Sequence, residues 1–218
     1  MILAIEGVDR QAYPELFEQM FRMRAAVFSE RLGWDVTVVD GKEIDCFDAE
    51  DPLYLLCVDE VTQRLKGAVR LLPTTGPNML RDVFAVLVPG GSVESPLIWE
   101  SSRFAINPDL SVGPGRQDVN QFVNTTTIEL LCGLVEAAQL AAVEHIVSVF
   151  DARMARIFRA ADCPYELIGV PTRIGRTMTY AGLFEISDAM RRRLGDAGGL
   201  HAPVLASAGA HLAAIRSA

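Results

Sequence analysis

The chain has 218 residues, half of them apolar, and 20 Lys and Arg stand against 28 Asp and Glu for a formal charge of −8. That length supports a single domain over residues 1–218 with one large core and calls for no second one. So acidic a surface repels phosphate backbones and anionic headgroups, so neither nucleic acid nor membrane is an expected partner, and an acidic partner would need a local basic patch.

Residues 2–6 read as a short strand, and Met1-Ile2-Leu3-Ala4-Ile5 runs at once into Glu6 and Asp9, which is too short and too acidic for a signal peptide. From about Tyr13 the spacing of Leu16, Met20, Met23 and Val27 predicts a helix, with Pro14 suited to its first turn. Arg24, Phe28 and Arg31 follow the edge of that stripe and should project together, before Gly33 ends the helix. In Glu43-Ile44-Asp45-Cys46-Phe47-Asp48, period-two spacing puts Glu43 and Asp45 on one face of an extended segment. Leu53–Val58 and Gly67–Leu72 read as antiparallel strands closed off by Pro73-Thr74-Thr75-Gly76-Pro77.

A helix is expected near Met79–Leu87, then a strand over Leu97–Ile106 and a Pro- and Gly-rich loop over 107–115. A long helix follows over Asp118–Ala142 with Asp118 as its N-cap, then a β-branched core strand at Ile146–Phe150 and a helix at Met154–Ala161. Tyr165–Val170 and Met178–Ile186 supply the last strands, and residues 188–218 read as a loosely attached tail or short helix. This mixed order suits an α/β (α+β) sandwich with helices on both faces of one sheet. Bilayer spans need ~20 apolar residues in a row, and no run comes near that; a cytoplasmic protein is expected. Cys46, Cys57, Cys132 and Cys163 form no C-x-x-C pair and read as reduced, mostly buried thiols. His145, His201 and His211 lack ligand spacing, so no metal is expected. Ser101 and Ser102 have no G-x-S-x-G elbow around them.

The informative feature is a set of charges inside apolar elements. Arg70 sits in Ala68-Val69-Arg70-Leu71-Leu72, and Glu100 and Arg103 interrupt the strand that begins Ile98-Trp99. Charges so placed must be paired or face a ligand. With Arg24, Asp45 and Asp48 they could form a purely structural ion-pair network. Phe28, Trp34 and Phe84 weigh against that reading, because π faces beside carboxylates suit a cationic ligand with a flat heterocycle, such as a sulfonium nucleoside.

The run Phe21-Arg22-Met23-Arg24-Ala25-Ala26-Val27-Phe28-Ser29-Glu30-Arg31-Leu32-Gly33-Trp34-Asp35-Val36 resembles the N-terminal signature of the acyl-homoserine lactone synthases, the LuxI-type autoinducer producers. Glu43–Asp48, Arg70–Pro77 and Trp99–Phe104 agree with it in order and spacing, so the resemblance covers roughly residues 16–186. It implies a fold similar to the GNAT acetyltransferases: a three-layer sandwich whose mixed sheet has splayed central strands. The GNAT pyrophosphate loop is not convincingly present, and Gly113-Pro114-Gly115-Arg116 reads as a plain turn.

The implied activity is transfer of an acyl group from acyl carrier protein or coenzyme A to the amino group of S-adenosylmethionine. Lactone closure follows and releases 5′-methylthioadenosine, giving a quorum-sensing signal. No cofactor is implied, because S-adenosylmethionine is a substrate. By family analogy Glu100 is the leading general base and Glu43 the second. Phe28, Arg31 and Trp34 are placed against the adenosyl moiety, and Arg24, Asp45, Asp48, Arg70, Phe84 and Arg103 are shared between ligand contacts and an ordering network in which Arg103 pairs with Asp45 or Asp48. Trp99, Ser148, Phe150 and Leu183 are candidates to line the acyl pocket. Arg153, Arg156 and Arg159, three apart on a helix, are the candidate dock for an acidic carrier protein. The competing readings are a GNAT N-acyltransferase that uses acyl-coenzyme A and another amine, and a non-catalytic sensor of the nucleoside or the lactone.

Overall fold

A computed structural model describes residues 1–91, 93–107 and 123–206. Among these, β1 (Ile2–Glu6), β4 (Leu53–Val58), β5 (Leu65–Pro73), β6 (Ile98–Ile106), β7 (His145–Asp151), β8 (Glu166–Ile174) and β9 (Thr177–Glu185) form one mixed sheet in the order β1-β4-β5-β6-β7-β9-β8. A separate hairpin is made by β2 (Val38–Val39) and β3 (Lys42–Glu43).

Period-two alternation sorts side chains to two faces. Val69, Leu71, Ile146, Phe150 and Phe184 go to one core, shared with α3 (Thr125–Leu140), α4 (Ala152–Ala160) and α5 (Asp188–Gly198). Tyr54, Leu56 and Ala68 go to the other face, under α1 (Pro14–Arg24), while Val147 and Ala181 pack there with Leu80 of α2 (Met79–Asp82). The result is the expected α/β three-layer sandwich.

Only β6 and β7 run parallel, and they pair just from Ile98–His145 to Ser101–Ser148. Beyond that point β6 stays with β5 and β7 with β9, so the sheet opens into a V at its centre.

Several expectations are corrected in detail. The long helix starts at Thr125, where the Asn124 side chain caps it by accepting from the Thr126 N–H at 2.8 Å; Asp118 and the Gly113–Arg116 turn lie outside the described residues. The helix expected over Met79–Leu87 is broken into α2 and a single turn at Ala85–Leu87. Residues 188–206 are not loose. In α5, Met190 and Leu194 are buried, Arg191 pairs with Glu136 at 2.7 Å, and the Glu136 carboxylate also accepts from the Val204 and Leu205 N–H groups. Residues 204–206 thereby cover the open edge of β1, where Ile2 N–H donates to Val204 O at 2.9 Å and Ala206 N–H to Ile2 O at 2.8 Å.

Candidate active site

Helix α1 continues as a widened, π-helical turn over Ala25–Arg31, visible in the Leu32 N–H to Val27 O bond of 3.0 Å. The widening breaks the common face expected for Arg24, Phe28 and Arg31. Arg24 turns inward and is 1% exposed, Phe28 is buried, and Arg31 lies exposed at the cleft mouth.

Arg24 donates from Nε to Glu43 at 2.5 Å and from both Nη atoms to Asp48 at 2.8 and 2.9 Å. Arg70 reaches Asp45 at 2.5 Å, Asp48 at 2.9 Å and the Ser102 Oγ at 3.1 Å. Arg103 closes the ring on Glu43 at 2.9 Å and Asp45 at 2.8 Å, so of its two expected partners Asp45 is found and Asp48 is not. Three guanidiniums and three carboxylates thus cancel, but the third carboxylate is Glu43 and not Glu100, which the structural reading places in the network. Burial pushes the Asp48 carboxyl up, but Arg24 first, then Arg70 and the Tyr54 hydroxyl at 2.7 Å, hold it well below the usual carboxylate range.

The network nonetheless stands beside a hollow. A cleft of about 1690 Å³ passes through the opening between β6 and β7. Glu43, Asp45 and Arg103 line it, whereas Arg24, Asp48 and Arg70 stand behind them as support. On the α1 side its walls also hold Phe28, Trp34, Phe84 and Glu100. Phe28 and Trp34 stack at 5.2 Å with 15° between their planes, and the Arg103 guanidinium lies 5.4 Å from the Phe28 ring centre.

Arg103 reaches this face by an irregularity. The β5–β6 register shifts so that Ser102 pairs Arg70 and Ala105 pairs Ala68, leaving Arg103 and Phe104 opposite Val69. Arg103 takes φ +54°, a strained bulge conformation that sends its side chain to the same side as Glu100.

Glu100 differs from the other carboxylates. It is 1% exposed, and among the described residues it has no ion-pair partner. Its oxygens accept from the Met79 and Leu80 N–H groups at 2.9 and 2.5 Å. Burial pushes its pKa above the ordinary value; the two N–H groups and then Arg70 and Arg103 recover only part of that shift.

Past the splay the cleft becomes apolar, with Leu131, Leu134, Phe150, Met154, Phe158 and Phe184 on its walls. Ser148 sits at the crossing and donates from Oγ to Ser101 O at 3.0 Å. Trp99 and Leu183, expected beside it, do not line the cleft. Trp99 packs against the α3-side core, and Leu183, opposite Val147, belongs to the other face of the sheet.

Arg153, Arg156 and Arg159 are all exposed on α4, without ion pairs among the described residues, and Arg153 reaches the cleft mouth. Of the four thiols, Cys46 is exposed; burial pushes Cys57 and Cys163 up to about 12 and Cys132 to about 11, leaving them inert. No group of three or more potential metal ligands occurs among the described residues.

Local sequence pattern does not single out Tyr54, Phe47 beneath Arg70 at 5.6 Å, or the α5 residues Met190 and Leu194 at the far end of the cleft. A lone tyrosine in Leu53-Tyr54-Leu55-Leu56 was the available signal for the first.

The family model for autoinducer synthases matches residues 10–194. The chain belongs to the autoinducer synthase family. The synthase is 37% identical over 183 residues to an acyl-homoserine-lactone synthase of Agrobacterium fabrum, covering 83% of this chain and 84% of that one. It is similar over 99% of its length to the structure of a CoA-dependent acyl-homoserine lactone synthase, BjaI, with SAM and isopentyl-CoA, at 29% identity, 96% coverage of that chain and a TM-score of 0.83. With FeeM, an N-acyl amino acid synthase from uncultured soil microbes, it shares the fold alone, at 11% identity and a TM-score of 0.54 over 86% of this chain and 94% of that one. The synthase is therefore an acyltransferase that makes an acyl-homoserine lactone, and the sensor and other-amine readings fall away.

If the ring pair cradles a nucleoside, Trp34→Ala should weaken S-adenosylmethionine binding roughly 2- to 30-fold. Trp34 is 41% exposed, so the fold should stay intact. Unchanged affinity by calorimetry in the folded variant would remove Trp34 from the site.

Proposed function

We propose that the synthase divides its reaction along the cleft, with S-adenosylmethionine on the α1 side and the fatty acyl thioester on the α3 side. The observation that carries this reading is the single cleft crossing the sheet, charged and ring-lined at one end and apolar at the other. The six network charges sum to zero, so an ionised Glu100 leaves the wall with a net negative charge that draws a sulfonium cation. Trp34 and Phe84 offer ring faces to the sulfonium and the adenine, with Phe28 stacked against Trp34 as its support and Arg31 at the rim.

Glu100 takes the proton from the α-amino nitrogen, directly or through a water, as that nitrogen attacks the acyl carbonyl at the splay, and collapse of the tetrahedral intermediate breaks the C–S bond and expels the donor's thiolate, which takes up a proton and leaves as the free thiol. Glu43, with both oxygens bound to guanidiniums, acts as a positioning residue rather than a second base. Beyond Ser101 strand β6 has no β7 partner, which suits a backbone N–H on that edge to hold the oxyanion. The methionyl carboxylate then displaces sulfur at Cγ, closing the lactone and releasing 5′-methylthioadenosine. That step is intramolecular, so holding the folded conformer supplies much of its acceleration. No helix among the described residues is long and apolar enough to cross a membrane, and we place the reaction in the cytoplasm, where both substrates arise.

The acyl donor approaches over α4, where Arg153, Arg156 and Arg159 form a basic stripe on an acidic protein. Purified synthase given S-adenosylmethionine and acyl thioesters should release methylthioadenosine only when donor is present; release without a donor would remove acylation from the sequence of steps. With acyl carrier protein as the donor, Arg153→Glu/Arg156→Glu should raise its KM roughly 2- to 30-fold and leave the KM for S-adenosylmethionine unchanged. An unaltered KM on carrier protein, with a raised one on coenzyme A, would assign the stripe to the coenzyme.

A further inference from the structure

Gly182 lies on β9 directly opposite Ser148, the residue at the point where the cleft crosses the sheet. A Cβ at this position would sit 2.7 Å from Phe150 Cε1, 3.0 Å from Phe150 Cζ and 3.1 Å from Tyr165 Cδ2. Phe150 pairs with Tyr180, so its ring leans diagonally back across β9 and fills the space where a side chain at 182 would otherwise stand, beside Ser148.

The ring is held there from several sides. Phe158 and Tyr165 meet it edge-on, each with ring centres at 5.0 Å, Tyr180 stacks at 5.9 Å and Phe184 lies tilted at 6.1 Å. The side left open is the cleft, whose wall includes both Phe150 and Ser148.

We infer that Gly182 and Phe150 act together as a specificity element: the missing side chain at 182 keeps the Phe150 ring out of the acyl passage, and the ring's position sets the bore just past the reacting carbonyl. This rests on the assignment of the apolar half of the cleft to the acyl chain. Gly182 carries no positive φ, so its role is steric and a methyl group there fits the backbone without strain. The close atoms are the far edge of a side chain that turns about χ1, so the ring moves rather than the strand. With four rings behind it, the ring moves into the passage.

The test compares wild type, Gly182→Ala, Phe150→Leu and the double variant, with butanoyl, octanoyl and dodecanoyl thioesters on coenzyme A and on acyl carrier protein, following methylthioadenosine release. Gly182→Ala should lower kcat/KM for the longest donor that the wild type uses by roughly 5- to 150-fold more than for the shortest, with the KM for S-adenosylmethionine unchanged. Phe150→Leu should shift preference towards longer chains, and the double variant should regain the long donor that Gly182→Ala loses. Equal loss on all donors, or no regain in the double variant, overturns the inference while the reaction assignment stands. If Gly182→Ala does not fold, an unshifted preference in Phe150→Leu overturns it instead. A wild type that releases no methylthioadenosine with any donor overturns the underlying reading as well.

Discussion

Glu100→Gln should lower kcat by about 10²- to 10⁴-fold, the usual contribution of a positioned general base, and should also weaken S-adenosylmethionine binding, because it removes the charge that the neutral network leaves uncompensated. The surroundings of the carboxyl set it apart. Glu43, Asp45 and Asp48 each accept from guanidiniums, which spread and hold their charge, whereas among the described residues Glu100 accepts only from two backbone N–H groups. Burial raises its pKa, so it holds a proton more tightly than an ordinary carboxylate and is the better base once ionised.

The fold favours protonated Glu100, so its contribution to stability is present below the ordinary carboxylate value and is lost as pH rises through the elevated one. Ionised Glu100 therefore costs stability at neutral pH, and Gln removes that cost while giving up one acceptor for the Met79 and Leu80 N–H groups. The variant should stay within about 1 kcal/mol of wild type. In the wild type, kcat/KM should climb as pH rises past the raised Glu100 value, and the variant should lose that acid limb. A folded Glu100→Gln protein with the limb intact would show that another group takes the proton.

Arg24→Met should destabilise the fold by about 3–5 kcal/mol, because it strands Glu43 and Asp48 as buried charges with part of their pairing removed. For a chain of this size that is a fall of roughly 6–20 °C in Tm. Arg24→Lys should recover only part of the loss, since one ammonium cannot reproduce the Nε bond to Glu43 and the two-pronged contact with Asp48.

Asp48 also predicts the acid behaviour. Its folded pKa is depressed, so its contribution is present above the ordinary carboxylate value and is lost as pH falls through the depressed one. Acid unfolding of the wild type should therefore start at lower pH than in Arg24→Met. Urea midpoints across pH measure both effects, and a loss below about 1 kcal/mol at neutral pH would mean that the surrounding groups relax to solvate the carboxylates. Activity should suffer along with stability, because the network holds residues 43–48, whose Glu43, Asp45 and Phe47 form part of the cleft wall.

Much of this architecture follows from local pattern. The period of Leu16, Met20 and Met23 marks α1, the alternation around Arg70 marks a two-faced strand, and charges among apolar neighbours point to Arg24, Asp45, Asp48, Arg70 and Arg103 of the network but not to Glu43 or Tyr54. These features are legible because helix and strand periods, and the cost of an unpaired buried charge, are properties of a few adjacent residues. Tertiary structure alone decided how they combine. The bulge at Arg103 and the widened turn after Arg24 each shift side-chain phase by part of a period, and neither leaves a mark in residue type. Leu183 and Phe150 fall on opposite faces because β9 pairs with β7 in one register, and Glu100 differs from Glu43 only through the partners each meets across the sheet. Register, splay and pairing are set by contacts between residues tens of positions apart, which a linear pattern does not encode.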